Sequence, residues 1–141
     1  MNNVEETAAY LTLLKEDKRF KLGAYLFLNE VIERAALCVA EGYENDETGE
    51  PDEGGHVTGQ QMCRVAVEYA VEQFGLLARV TLENMGLRTT GDIGDAVYNM
   101  IDVGLMSKTP DDAREDFDNV FDLGAELDSE FQFVYEGRRR E

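Results

Sequence analysis

The segment from Leu22 to Glu41 constrains the fold most, because it is apolar on nearly every side of a helix. Its polar side chains are confined to a few positions: Asn29, Glu30, Glu33, Arg34 and the terminal Glu41. A helix that is apolar almost all round must be covered by other elements. We therefore predict a helix over about residues 22–41 near the middle of the domain, preceded by a short amphipathic helix over about 4–14.

Thr58 opens a second core helix. Its hydroxyl can accept the amide of Gln61 while the Gln61 side chain reaches back to Thr58, which is a reciprocal capping box. From there the polar residues form one stripe and the remaining positions are apolar, as in a helix that packs into a core. This pattern predicts a helix over about 59–74. Another helix follows over about 76–85, with Gly86 placed as a left-handed C-cap.

The clearest helical period runs over about residues 91–103, where apolar side chains recur at the i, i+3, i+4 and i+7 spacing. Thr89 or Thr90 can cap this helix. Gly94 lies inside it, where Gly costs about 0.5 to 1 kcal/mol relative to Ala unless another segment approaches its backbone closely. We predict that the helix over 59–74 crosses at this point.

The pattern then changes to short apolar stretches around a Pro-Asp-Asp turn signal, which predicts a β-hairpin over about 105–123. Helix, turn, helix and hairpin is the element order of a winged helix-turn-helix. In the tail, 124–141, the alternating aromatic residues Phe131, Phe133 and Tyr135 indicate a further strand or an aromatic arm. The expected fold class is therefore mainly α with a small β-hairpin (α+β), a helical domain with a winged-helix-like C-terminal half.

At 141 residues, the chain can bury about two-thirds of its unfolded surface, so residues 1–141 are expected to form a single domain. No apolar run approaches the roughly 20 residues needed to cross a bilayer. The N-terminus carries acids where a signal peptide carries bases, which indicates a cytoplasmic protein without membrane contact. Cys38 and Cys63 are too few for a disulfide framework, and no motif for a metal or a cofactor occurs, so neither is expected.

Charge is strongly unbalanced, with 13 Lys and Arg against 30 Asp and Glu and a formal net charge of −17. Many of the acids fall in the segment 42–55, which has no hydrophobic period and predicts a mobile acidic loop. Others lie between Asp111 and Glu130, where Arg114 is the only base. This field repels phosphates, so we expect no binding of DNA or RNA.

The recognition helix of a winged helix should carry Arg, Lys, Asn or Gln on its exposed face. The helix over 91–103 and the predicted wing instead offer mostly acids, which we take as a candidate interaction surface: Asp92, Asp95, Asn99, Asp102 and Asp116. An acidic face suits a basic protein partner, and a solvated face without a partner is the simpler alternative. We expect a non-enzymatic interaction or regulatory module, with a winged-helix nucleic-acid binder as a further alternative.

A different class of function centres on His56, the single histidine, in the sequence GGHVTG just before a helix N-terminus. Such termini attract anions through their free amides. His56, Thr58 and Gly59 are therefore a candidate ligand site of a small-ligand-binding protein or an enzyme, with His56 as base or ligand. The structural alternative is an imidazole that only hydrogen-bonds across the loop. No Ser or Cys lies beside His56 at a defined spacing, so no catalytic residue is assigned.

Four stretches of the chain carry a resemblance to known sequences: HVTGQQMC, VEQFGLLAR, TTGDIGDAVYNMIDVGLMSKTPDD and EDFDNVFDL. With AYLFLNEV near residue 24, they resemble a family of short conserved proteins of unknown function largely restricted to planctomycete and verrucomicrobial bacteria. The resemblance covers residues 17–123 and implies no substrate, cofactor or catalytic residue. It marks these positions: His56, Thr58, Gly59, Gln73, Phe74, Gly75, Gly91, Asp92, Gly94, Asn99, Gly104, Lys108, Asp116 and Phe117.

Overall fold

The computed structural model describes residues 2–40, 57–108 and 112–135 of the chain. Within these ranges every regular element is helical. The α-helices are α1 (Asn3–Glu16), α2 (Leu22–Ala40), α3 (Gly59–Phe74), α4 (Ala78–Met85), α5 (Thr90–Asp102) and α6 (Leu123–Tyr135). Two 3-10 turns, Gly75–Leu77 and Arg114–Phe117, complete the described structure. The helices predicted before residue 104 thus lie close to their expected positions, except that the one over 76–85 begins as a 3-10 turn.

Side-chain caps and one glycine set the ends of several helices. Thr58 caps α3 and Thr89 caps α5, each in a reciprocal capping box with the residue three positions later. Such a cap satisfies amides that the helix leaves unpaired and contributes about 1 kcal/mol. α4 ends at Gly86, whose φ of 101° places it in the left-handed region. These local predictions from the sequence are confirmed.

The core is centred on α2 and α3, with α4, α5 and α6 packed around the pair. From α2, Tyr25 and Leu28 are fully buried, and from α3, Cys63 and Val67 are fully buried. Burial raises the pKa of the Cys63 thiol to about 12. This thiol is therefore protonated at neutral pH and serves as a small apolar side chain.

The predicted β-hairpin over 105–123 is wrong. In the described part of that stretch, residues 114–117 form a 3-10 turn, and Asn119 has a φ of 51°, a left-handed conformation that ends any extended run. Phe117 is buried in the core instead of pairing across a hairpin. Since the described residues contain no strand, there is no wing, and the expected winged-helix-like C-terminal half is wrong as well.

Of the two alternatives for the tail, the strand is wrong, because this part of the chain forms α6, and of the aromatic residues Phe131 packs against the core. The side chain of Asp122 accepts the amide of Ala125 at 3.1 Å at the start of this helix. Leu123, Leu127 and Phe131 recur every four residues, and the first two are buried in the core. This four-residue spacing is typical of a helix, and it outweighs the two-residue alternation of the aromatic side chains, which is typical of a strand.

The acidic segment 42–55, residues 109–111 of the predicted hairpin and the chain end 136–141 lie outside the described residues. Of the helices described here, none combines the length and the apolar character needed to cross a membrane.

Candidate functional site

A cavity of about 440 Å³ lies between α2, α3, α5 and the turn 114–117. Its volume falls within the range of about 300–1,000 Å³ that is typical of small-molecule sites. The wall is largely apolar and includes Ile32, Met62, Val97, Ile101, Met106 and Phe117. Polar side chains also line it, among them Tyr98, Asp112 and Asp116. With Asn29 on α2 and Ser107 after α5 also in the lining, the cavity combines apolar surface with polar groups from several segments.

The turn 114–117 forms one wall of the cavity and lies directly against two glycines. A β-carbon built on Gly94 would lie 2.6 Å from Cβ of Phe117, and one built on Gly59 would lie 2.9 Å from Cβ of Asp116. Non-bonded carbon atoms prefer separations of about 3.5–4.0 Å. Only glycine at both positions therefore allows the turn to lie so close to α3 and α5. The close approach predicted at Gly94 exists, but the approaching segment is the turn and not α3.

Arg114 holds the same turn through polar contacts. Its Nε donates to Asp95 Oδ1 at 2.7 Å, its Nη1 to Asp118 Oδ1 at 2.8 Å and its Nη2 to the carbonyl oxygen of Gly91 at 2.9 Å. Asp95 also accepts a bond from Arg19 at 2.9 Å. Burial of the Asp95 carboxyl acts to raise its pKa, but the two arginines outweigh burial and leave the pKa below its ordinary value. Asp95 is therefore an anion at neutral pH.

Tyr98 lines the cavity. Its hydroxyl oxygen is buried away from solvent and has no hydrogen-bond partner among the described residues. Its ring meets Phe117 edge to face at 6.4 Å between centroids, and Lys108 Nζ lies 5.7 Å from its centroid. Burial, and then the charges of Asp112 and Asp116, raise the pKa of Tyr98. The phenol is therefore protonated at neutral pH. A buried hydroxyl without a partner costs about 1–3 kcal/mol.

Two residues of the candidate interaction surface are held within the molecule at the start of α5. The side chain of Asp92 accepts the amides of Arg88 and Thr89 at 3.0 and 3.1 Å and completes the helix cap. Asp95 binds two arginines, as described above. These carboxylates therefore stabilise the fold directly.

The other three candidate surface residues occupy different environments. Asn99 donates to Oδ2 of Asp17 at 3.0 Å and to the hydroxyl of Tyr25 at 3.3 Å. Asp102 is exposed near the end of α5. Asp116 lines the cavity, and its side chain accepts the amide of Ala113 at 3.3 Å. The five residues of the candidate interaction surface therefore do not share one environment. Some cap a helix or bond within the molecule, one is exposed to solvent, and one lines the cavity.

Of the candidate ligand site, Gly59 lines the cavity, and its neighbour Val57 lines it as well. Thr58 uses its hydroxyl to accept the amide of Gln61 at 3.1 Å. His56 lies outside the described residues. Of the sequence GGHVTG, Val57 and Gly59 therefore border the cavity.

Sequence reasoning did not identify Tyr98, Asp112 or Arg114 as site residues, although the sequence contains one signal for Tyr98 and another for Arg114. Tyr98 follows Gly94 by one helical turn, so it shares the face where the close approach was predicted. Arg114 is the lone base in a long acidic stretch, which marks it as a side chain with several available anionic partners.

In residues 2–40, 57–108 and 112–135, no group of three or more His, Cys, Asp or Glu side chains is placed to hold a metal ion. Comparisons with protein-family models, with curated proteins and with solved structures found no match to this chain. The geometry of the cavity is therefore the basis for a functional proposal.

Proposed function

We propose that this protein is a small-molecule-binding domain whose ligand occupies the cavity between α2, α3, α5 and the turn 114–117. The observation that carries the proposal is a cavity of about 440 Å³ whose wall combines apolar side chains with the polar residues Tyr98, Asp112 and Asp116. Small-molecule sites are concave, mostly apolar and equipped with a few polar groups that orient the ligand. The described lining has this composition.

This cavity is a better supported site than an acidic docking face on α5 for a basic protein. Of the five residues of that face, Asp92, Asp95 and Asn99 already bond to neighbouring residues, Asp116 lines the cavity, and Asp102 is exposed. A partner would have to compete with those bonds. A ligand in the cavity would instead cover apolar side chains such as Met62, Val97 and Ile101.

Simple energetics indicate that the polar groups are needed for useful affinity. A ligand that buries about 250 Å² of apolar surface gains about 6 kcal/mol. A dissociation constant of about 1 μM corresponds to about 8 kcal/mol, before the loss of translational and rotational freedom is counted. Polar residues of the lining, such as Asp112 and Asp116, must therefore contribute to any micromolar complex.

The proposal can be tested by methyl NMR on protein labelled at the methionine ε-carbons. Met62 and Met106 line the cavity, whereas Met85 lies against Gly23. A titration with octanol as an apolar probe should shift the signals of Met62 and Met106 and leave that of Met85 in place. Unchanged Met62 and Met106 signals at millimolar octanol would refute the proposed site.

A pair of matched variants separates binding in the cavity from binding elsewhere. Ala36 lines the cavity, and Ala36→Leu adds volume inside it. Ala8 is exposed on α1, so Ala8→Leu makes the same change away from the site. We expect Ala36→Leu to weaken octanol binding about tenfold or more, a loss of about 1.4 kcal/mol, and Ala8→Leu to have no effect. Equal affinity in both variants would place the probe outside the cavity.

A further inference from the structure

Three large apolar side chains are exposed together where α3 ends and α4 begins. Leu76 is 75% exposed, Leu77 is 60% exposed and Val80 is 47% exposed. The two leucines belong to the 3-10 turn Gly75–Leu77, and Val80 follows within the next helical turn in α4. Residues three and four positions apart are neighbours on a helix surface, so these side chains form one apolar patch.

Gly75 separates this patch from the core. Its φ of 54° and ψ of −127° end α3, and side chains other than glycine rarely adopt a positive φ. The leucines after it therefore do not continue the buried side of α3. None of the three patch residues packs in the hydrophobic core or lines the cavity. Neighbouring exposed apolar side chains of this kind, unlike scattered ones, are typical of contact surfaces for other molecules.

The charges around the apolar patch are mostly negative. Three exposed carboxylates come from the elements that form or border it: Glu72 in α3, Glu83 in α4 and Asp128 in α6. Arg79 pairs with both Glu83 and Asp128, and Arg34 pairs with both Glu72 and Glu30. Each guanidinium group thus serves two carboxylates, which leaves an excess of negative charge. The net charge of −17 extends the same field to longer range.

We propose that the apolar patch binds a cationic amphipathic helix of a protein partner. Leucine-like side chains of that helix would contact Leu76, Leu77 and Val80, as in other complexes that recognise one apolar helix face. Its lysine or arginine side chains would bind the bordering carboxylates. A carboxylate accepts up to about four hydrogen bonds, so the ion pairs within the molecule leave these groups able to accept more. The proposal does not depend on a ligand in the cavity.

The sign of the charge favours this partner over two others. A second copy of the chain carries the same net charge of −17, and an anionic membrane surface is also negative, so both would be repelled. The local charge also distinguishes the patch from other exposed leucines. Leu22 follows Lys18 and Lys21, two exposed lysines that have no ion pair within the described ranges. A cationic helix is repelled there and attracted at the apolar patch.

The test uses a synthetic helical peptide of leucine and lysine, with leucine at the i, i+3, i+4 and i+7 positions and one tryptophan on the apolar side. The protein has no tryptophan, so the fluorescence reports the peptide alone. We expect a saturable blue shift and binding about tenfold or more tighter than that of a leucine-glutamate peptide with the same pattern. Added NaCl should weaken it. Equal affinity for the two peptides, or no saturable binding, would overturn the proposal.

Matched double variants locate the peptide on the protein. Leu76→Ser with Leu77→Ser should weaken binding about tenfold or more. Leu11→Ser with Leu37→Ser is the control, since these leucines are 55% and 62% exposed on α1 and α2, and it should bind as the wild type does. An equal loss in both double variants, or no loss in the first, would overturn the assignment. If urea unfolding shows that the first variant does not fold, Val80→Ser tests the same patch.

Two further measurements identify a different occupant. Sedimentation velocity should show a monomer for the wild type and for the Leu76→Ser, Leu77→Ser variant. A wild-type dimer that this variant dissociates would assign the patch to a second copy and overturn the proposal. Vesicles of phosphatidylglycerol should not sediment with the protein. Vesicle binding that is lost in the same variant would assign the patch to a membrane surface and would also overturn it.

Discussion

Arg114 Nε donates to Asp95 Oδ1 at 2.7 Å and joins the turn 114–117 to α5. Both side chains are 30% exposed, so water screens the pair and its charge contributes at most about 1 kcal/mol. The position of the turn therefore also depends on its packing against Gly59 and Gly94, which have no side chain to hold the turn away. Packing and charge together hold the wall of the cavity in place.

Gly94→Ala should destabilise the protein by about 1–3 kcal/mol, because its new methyl group would overlap Phe117. Urea unfolding at equilibrium measures the change. Gly23→Ala in α2 is the matched control, since its β-carbon would lie 3.7 Å from the flexible side chain of Met85. That control should be neutral or stabilising by up to about 1 kcal/mol. A neutral Gly94→Ala would contradict the packing described for the turn.

Arg114→Lys should destabilise by about 1–3 kcal/mol, because one ammonium cannot reach the three acceptors that the planar guanidinium spans. The coupling to Asp95 is measured by a double-mutant cycle with Asp95→Asn in urea unfolding. Arg88→Lys, at an exposed position before α5, serves as the control and should change stability by less than about 0.5 kcal/mol. Equal effects of the two lysine variants would count against the proposed role of Arg114.

Acid should destabilise the protein through two carboxyl groups in particular. Hydrogen bonding from Arg19 holds the pKa of Asp17 well below its usual range, and the pKa of Asp95 is also lowered. A folded-state pKa below the unfolded value gives stability that is present above the unfolded pKa of about 3.9 and is lost as the pH falls through the folded value. Urea unfolding should therefore show stability falling below about pH 4.

Two variants assign this acid dependence to the named groups. Asp17→Asn removes one of them and should flatten the fall in unfolding free energy below about pH 4. Asp102→Asn removes an exposed carboxyl and should leave the slope as it is in the wild type. The same slope in all three proteins would show that other groups control the acid response.

Tyr98→Phe should stabilise the protein without ligand by about 1–2 kcal/mol, because it removes a buried hydroxyl that lacks a partner. Tyr25→Phe is the comparison, since its hydroxyl accepts a bond from Asn99 at 3.3 Å. Loss of that bond should destabilise by about 0.5–1.5 kcal/mol. Thermal unfolding of both variants tests the difference in sign. A destabilised Tyr98→Phe would mean that the hydroxyl is already bonded in the free protein.

The helices before residue 104 could be predicted because their signals are local. The capping boxes at Thr58 and Thr89 and the left-handed Gly86 each depend on residues within one helical turn. The C-terminal part could not be predicted in the same way. There, alternating aromatic residues indicated a strand. The segment is a helix instead, because this conformation buries Leu123 and Leu127 against α3 and α4.

The cavity was predictable only in part, because it depends on contacts between distant segments. Gly94 signalled that something approaches α5 closely, but nothing near Gly94 in the sequence identifies Phe117 as the partner. Likewise, the sequence predicts that the carboxylates of α5 form an exposed surface, because it does not show that Arg19 and Arg114 lie beside Asp95. Long-range pairing of this kind is not encoded in any single window of sequence.

The turn 114–117 packs directly against Gly59 and Gly94, and this contact affects the order in which the chain folds. These glycines come from different helices, so the turn has nowhere to dock until α3 and α5 are side by side. Docking therefore follows the pairing of α3 and α5, and if it also follows the rate-limiting step, changes at the interface will speed unfolding more than they slow folding. By the same logic, loss of the contacts made by the turn does not by itself require α3 and α5 to unfold.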